Sequence, residues 1–181
     1  GLAVLSGGPG VGKSLALKLL ANDLKQSGAP CSIHALNWGL QISVTEVLRR
    51  VAEGAADDDR APATDRLTVL LIDEAQHLGS AELGEFLQET ALRGGRLHLV
   101  LAGAPEVELG VNEALAEHPR MVATHWLLEP LRLDEISSYV AGRLKAAGGG
   151  GREIFTADAI ECLAQHSGGV PRRLNVLCST A

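Results

Sequence analysis

The sequence has 181 residues, with 22 acidic against 16 basic side chains, a net charge of −6 and 46% hydrophobic residues. That length suits one domain, or one domain with a small appendage, and the composition excludes a disordered chain. The apolar runs, Val69–Ile72 and Leu99–Ala102 among them, fall far short of the roughly 18–20 residues of a membrane span. No basic stretch leading into an apolar core marks a signal peptide. The acidic balance argues against a large, electrostatically driven nucleic-acid surface. Cys31, Cys162 and Cys178 make an odd count without a Cys-x-x-Cys pair, which predicts reduced, packed thiols in a cytosolic protein.

Leu2–Leu5 reads as a short buried strand, and the Gly-rich Ser6–Gly12 follows it. Ser14–Gln26 has helical periodicity in Leu15, Leu17, Leu19, Leu20 and Leu24. Cys31–Leu36 is a second strand and Ser43–Gly54 a helix capped near Ser43 or Thr45. Ala55–Arg66, with Asp57, Asp58 and Asp59, reads as an exposed loop. Leu67–Ile72 is a strand buried on both faces that ends in Asp73 and Glu74. Then come a helix over Ser80–Arg93 with Ser80 as its cap, a strand over Arg96–Ala102, a helix over Glu106–Glu117 and a strand over Met121–Leu128. Alternating strands and helices predict an α/β layered sheet with mostly parallel strands.

Past Glu129–Leu131 the pattern changes. Leu133–Ala147, Thr156–His166 and Pro171–Cys178 all read as helices, divided by Gly148–Gly151 and by Gly168 and Gly169. The expected division is a core over residues 1–130 and a small all-helical unit over 131–181. Trp38 and Trp126 are expected to be packing residues, and His77 a helix-start residue.

Gly7-Gly8-Pro9-Gly10-Val11-Gly12-Lys13-Ser14 fits G-x-x-x-x-G-K-[ST] between a strand and a helix, the context that marks a phosphate-binding loop. Glycines let backbone N–H groups approach phosphate oxygens, and the helix N-terminus adds partial positive charge. The loop Gly8, Pro9, Gly10, Val11 and Gly12, with Lys13, Ser14 and Leu15, is therefore the expected ATP cradle. Lys13 is suited to the β- and γ-phosphates and the Ser14 hydroxyl to Mg²⁺. Asp73, at the end of a buried strand, is the second Mg²⁺ ligand, and Glu74 the residue that orients the attacking water. Arg172, at the start of the last helix, is a candidate for the γ-phosphate. Arg120, before the last strand, is a candidate arginine finger acting on a neighbouring subunit.

These motifs, in this order, resemble the AAA+ ATPases. Asp73-Glu74-Ala75-Gln76-His77-Leu78, Leu99–Glu106 and Ser167–Cys178 further resemble the ExeA/GspA-type secretion ATPases, a group close to the TniB and TnsC transposition ATPases. The resemblance implies a P-loop NTPase three-layer sandwich with a mostly parallel five-stranded sheet, followed by a small helical lid. It implies that Arg172 matches the sensor-2 arginine and that Arg120 falls where the family keeps its finger. Catalysis would rest on Lys13, Glu74, Arg120 and Arg172.

Two departures stand out. The sensor-1 region of the family offers a polar side chain after the fourth strand, whereas Gly103 and Ala104 offer none, so a water or backbone group is expected to substitute, or hydrolysis to be weak. The sequence also opens at the first strand, so the segment that helps hold adenine in relatives is expected outside these residues.

The expected function is an oligomerising ATPase that couples nucleotide state to assembly of a secretion or cell-envelope complex, in the cytoplasm or at the inner face of the membrane. The alternative is a nucleotide-gated transposition helper or assembly switch with little hydrolysis. A DNA partner is not favoured: Lys145, Arg152, Arg172 and Arg173 are the only loose basic candidates. A nucleotide kinase lacks its arginine-rich lid here, and a helicase needs two such cores.

Overall fold

The computed structural model describes residues 1–40, 43–54, 67–149 and 154–180. The expected loop at 55–66 lies outside them, as do Gly150 and Gly151. The elements run β1 (Leu2–Gly7), α1 (Lys13–Gln26), β2 (Cys31–Asn37), α2 (Val44–Gly54), β3 (Leu67–Asp73), α3 (Ser80–Leu92), β4 (Leu97–Gly103), α4 (Val107–Glu117) and β5 (Ala123–Leu128). The helices α5 (Leu133–Ala146), α6 (Ala157–Ser167) and α7 (Pro171–Thr180) follow, and 3₁₀ turns occupy Trp38–Leu40 and Ala75–His77.

The chain divides into two compact units, one of Gly1–Gly7 with Lys13–Leu127 and one of Gly8–Gly12 with Leu128–Ala181. The first carries a five-stranded sheet in the order β2-β3-β4-β1-β5. The pairs β1–β4, β2–β3 and β3–β4 are parallel. Parallel strands need helical crossovers, which cover both faces of the sheet. The β3 sequence Leu-Thr-Val-Leu-Leu-Ile-Asp shows this in its pleat. Leu70 and Ile72 point to one face, where they meet Leu99 and Leu101 of β4, Val47 and Val51 of α2, Phe86 and Leu87 of α3 and Val111 of α4. Val69 and Leu71 point to the other, against Leu17, Ala21 and Leu24 of α1. The result is the three-layer arrangement expected from the sequence.

Trp38 is buried and meets Phe86 edge to face, with ring centroids 5.6 Å apart. Trp126 corrects the expectation. It is 55% exposed, because β5 lies at the edge of the sheet and exposes Thr124 through Leu127. The start of α3 differs as well. Ser80 is already helical, and Gly79 precedes it as the cap, its N–H donating to Glu82 Oε2 at 2.9 Å. Ser43 does serve α2, its Oγ accepting from the Glu46 N–H at 3.2 Å.

The second unit packs α5, α6 and α7 around Ile136, Val140, Leu163 and Leu174. Thr156 starts α6 by accepting from the Ala159 N–H at 3.3 Å, and Gly168, at φ 59°, ends it in the left-handed conformation that glycine tolerates. Gly169 brings backbone to backbone: its carbonyl accepts from the Leu131 N–H at 2.9 Å. A Cβ at Gly169 would lie 2.1 Å from the Leu131 carbonyl oxygen.

Phe86→Ala is expected to lower stability by about 3–5 kcal/mol, because it removes a fully buried ring and its partner for Trp38. The midpoint of urea denaturation, followed by far-ultraviolet circular dichroism, measures the loss.

Candidate functional site

The strand register sets up the site. Leu5 of β1 pairs with Ala102 of β4 and Ser6 with Gly103. Ile72 of β3 pairs with Leu101, and Asp73 with Asn37 of β2. Continuing that register by one residue, Asp73 stands level with Ala102 and Leu5, and Glu74 follows it out of the strand. All of them lie at the carboxyl-terminal edge of the sheet, where open α/β sheets bind ligands. Here β1 runs into the Gly-rich loop.

In the first unit, Lys13 is half-buried and its Nζ donates to the Gly7 carbonyl at 2.8 Å. Ser14 and Leu15 are exposed on the first turn of α1. Asp73 is half-buried, and its Oδ1 accepts from the Glu74 N–H at 3.0 Å. A carboxylate has acceptor capacity beyond that one bond. A hydroxyl and a carboxylate are the hard oxygen donors that Mg²⁺ takes.

In the second unit, Gly10 and Gly12 have φ of 83° and 118°, so the loop takes a path that a side chain would strain. Val11 is buried, Pro9 is exposed and Gly8 is half-buried. The Gly10 carbonyl accepts from the Arg172 N–H at 3.2 Å. A Cβ at Gly10 would lie 2.9 Å from Arg172 Cβ and 3.1 Å from Val170 Cγ1. The start of α7 therefore rests on the loop, and the Arg172 side chain is exposed beside it. Within the first unit, the Ser14 hydroxyl and the Asp73 carboxylate are a donor set that fits Mg²⁺.

Glu74 has φ 56° and ψ 36°, the left-handed region, and is the one non-glycine residue with positive φ among those described. That conformation costs about 1–2 kcal/mol and is the kind of strain found at functional sites. The chain then enters the 3₁₀ turn, which ends at His77, so His77 closes a turn and does not open a helix.

Gln76 Nε2 donates to Glu74 Oε2 at 2.6 Å, and Gln76 Oε1 accepts from the Ala104 N–H at 3.0 Å. A side chain from the 3₁₀ turn thus reaches the end of the fourth strand, where Gly103 and Ala104 offer no polar side chain of their own. Sequence reasoning gave Gln76 no role. Its only signal was an amide, both donor and acceptor, two residues beyond Glu74. Arg120 lies apart from these contacts, exposed between α4 and β5, where the Met121 N–H donates to the His118 carbonyl at 2.9 Å.

Comparison with known proteins gives the family and the fold. The family model described as "AAA domain" matches residues 1–109. The chain belongs to the AAA+ family of P-loop NTPases. It is 36% identical over 124 residues, 66% of its length, to General secretion pathway protein A of Aeromonas hydrophila, of which it covers 22%. Its fold is similar to that of Cdc6p of Pyrobaculum aerophilum, with a TM-score of 0.71, 20% identity, 97% of this chain covered and 53% of that one. It is also similar to the ORC2 protein of Aeropyrum pernix in its ADP form, with a TM-score of 0.65, 14% identity, and 96% and 54% covered. The chain thus spans under a quarter of its curated relative and about half of these structures. None of its described helices is long and apolar enough to cross a membrane.

Two glycine exchanges are expected to differ in their effect on stability. Glu74→Gly relieves the left-handed strain but removes the carboxylate bonded to Gln76, so the two effects offset and stability changes by less than about 1 kcal/mol. Gly103→Ala loses about 1–3 kcal/mol, since its Cβ would lie 2.8 Å from Gln76 Oε1 and 3.0 Å from the Gln76 backbone N. Paired denaturation curves against the parent check both.

Proposed function

We propose that this AAA+ chain binds and hydrolyses ATP, oligomerises, and couples its nucleotide state to assembly of a secretion or cell-envelope complex. The observation that carries the hydrolytic reading is the placing of Asp73 and Glu74 at the same sheet edge from which β1 enters the Gly-rich loop. The loop Gly8–Gly12 turns its N–H groups toward the phosphates, and the N-terminus of α1 adds its partial positive charge. Lys13 exchanges the Gly7 carbonyl for phosphate oxygens. Ser14 and Asp73 would hold Mg²⁺, which would supply charge neutralisation at the phosphates. Glu74 accepts a hydrogen bond from the attacking water and aims it. Arg172, carried at the head of α7, adds a guanidinium to the γ-phosphate.

Arg120 acts in trans in this reading. Its exposure suits a residue that enters a neighbouring subunit's site, and it is the reason for proposing a homo-oligomer. The kinship with General secretion pathway protein A supports the secretion role; action in the cytoplasm or at the inner face of the membrane belongs to the same proposal. A protein of that complex is then the favoured partner, and DNA is possible but not favoured.

The rate of ATP hydrolysis per subunit, with Mg²⁺, is expected to rise with protein concentration. Glu74→Gln should bind ATP and lose about 10²–10⁴-fold in turnover, and Lys13→Ala should lose ATP binding. A parental rate in Glu74→Gln rejects the water-orienting role. Arg120→Ala mixed with intact protein should lower activity more than simple dilution does. Activity that follows dilution alone rejects the trans finger.

A further inference from the structure

The end of β4 is where the sequence leaves a chemical gap, and the structure fills it from another segment. Gly103 and Ala104 carry no polar side chain. Gln76, 28 residues earlier, meets the Ala104 N–H with Oε1 at 3.0 Å and the Glu74 carboxylate with Nε2 at 2.6 Å. From these contacts we infer that Gln76 is a positioning residue for hydrolysis, a bridge that aims the Glu74 carboxylate from the backbone of the β4–α4 corner. The inference rests on the reading of Glu74 as the residue that orients water.

Three features support the assignment. The first is the polarity of the bridge. A glutamine amide on a surface is free to turn over, exchanging oxygen for nitrogen. Here the Ala104 N–H commits Oε1 as acceptor, so Nε2 must face Glu74 as donor. The reversed amide would set two donors against each other at Ala104 and an oxygen against a carboxylate at Glu74.

The second is reciprocal space. A Cβ on Gly103 would lie 2.8 Å from Gln76 Oε1 and 3.0 Å from the Gln76 backbone N. The strand end gives up its own side chain, and Gln76 takes the room. The third is the state of Glu74 itself. It is exposed, and its backbone is held in the left-handed region. An unrestrained glutamate there would spread over several rotamers, an entropy of about 1.5–2 kcal/mol to be lost in every turnover. A neutral donor removes that freedom without pairing the carboxylate to a cation that would compete with the proton it must attract.

The bridge also gives Glu74 a link to α4. The Ala104 carbonyl accepts from the Val107 N–H at 2.9 Å, at the first turn of that helix. A shift of the β4–α4 corner is therefore passed to the carboxylate through one amide.

The test uses the full 181-residue chain as parent, Gln76→Ala and Gln76→Glu, with Glu74→Gln as reference. Gln76→Glu keeps the shape and the acceptor for Ala104 and loses the donor to Glu74. Amide hydrogen exchange of Ala104, read by NMR, should quicken about tenfold or more in Gln76→Ala and stay parental in Gln76→Glu. The kcat for ATP should fall about 10- to 100-fold in both, with KM within about twofold of the parent.

Unchanged Ala104 exchange in Gln76→Ala overturns the bridge. A parental kcat in Gln76→Ala beside an inactive Glu74→Gln overturns the positioning role alone. A parental kcat in Glu74→Gln overturns the reading of Glu74, and the positioning role falls with it. A rise in KM without a fall in kcat assigns Gln76 to nucleotide binding and also rejects the proposal.

Discussion

Parallel pairing of β1 with β4, and of β4 with β3, brings three chain turns to one edge of the sheet. In an antiparallel pair the turns alternate between the two edges, and residues that follow successive strands would be parted by a strand length. Here Gly7, Asp73 and Gly103 each end a strand at that edge, with strands spaced about 4.8 Å apart. A one-residue slip of β3 would exchange the side chains packed against its two apolar faces and move Asp73 along the edge. The same apolar pairing that buries Leu70 to Ile72 thus fixes where the carboxylates emerge. Core packing and site geometry are one constraint.

Beyond the strand ends, the chain departs from low-energy conformations. Glu74 takes a left-handed backbone where glycine would be easier, and Gly103 and Gly10 sit in spaces closed to any side chain. These positions oppose local propensity, and each lies next to a group proposed to meet nucleotide or water. A hydrogen bond to a charged group contributes about 1.5–3 kcal/mol, less where solvent reaches it. The tie from Gln76 to Glu74 is therefore of the same order as the strain beside it.

Much of this architecture is legible in the residues. The continuous burial of β3 on both faces follows from its unbroken apolar run, and the Gly-rich loop is recognisable because backbone approach to phosphate demands glycine. The helices of the second unit announce themselves through periodicity and through Thr156 and Gly168 at the ends of α6. Other features depend on tertiary context. Ser80 has the chemistry of a cap, yet Glu82 reaches back to Gly79 and the helix begins one residue earlier than a serine cap would set it. Trp126 has the composition of a core residue and lies on an edge strand. Gln76 was illegible for a clearer reason: its direction is set by the φ of Glu74 and by the register of β4, and neither is encoded within the six residues of its own motif.

The contact of Gly10 with Val170 and Arg172 bears on how such a sequence is able to vary. The phosphate-loop pattern leaves four positions between its first glycine and its last unspecified, and position 10 is formally one of them. In this chain it is not free. The residue at 10 and the first residues of α7 share one small volume, although some 160 residues of sequence separate them. A larger residue at 10 would meet both that crowding and the strain of a φ near 83°, so the head of the last helix is a second, distant reason for the loop to keep glycine there.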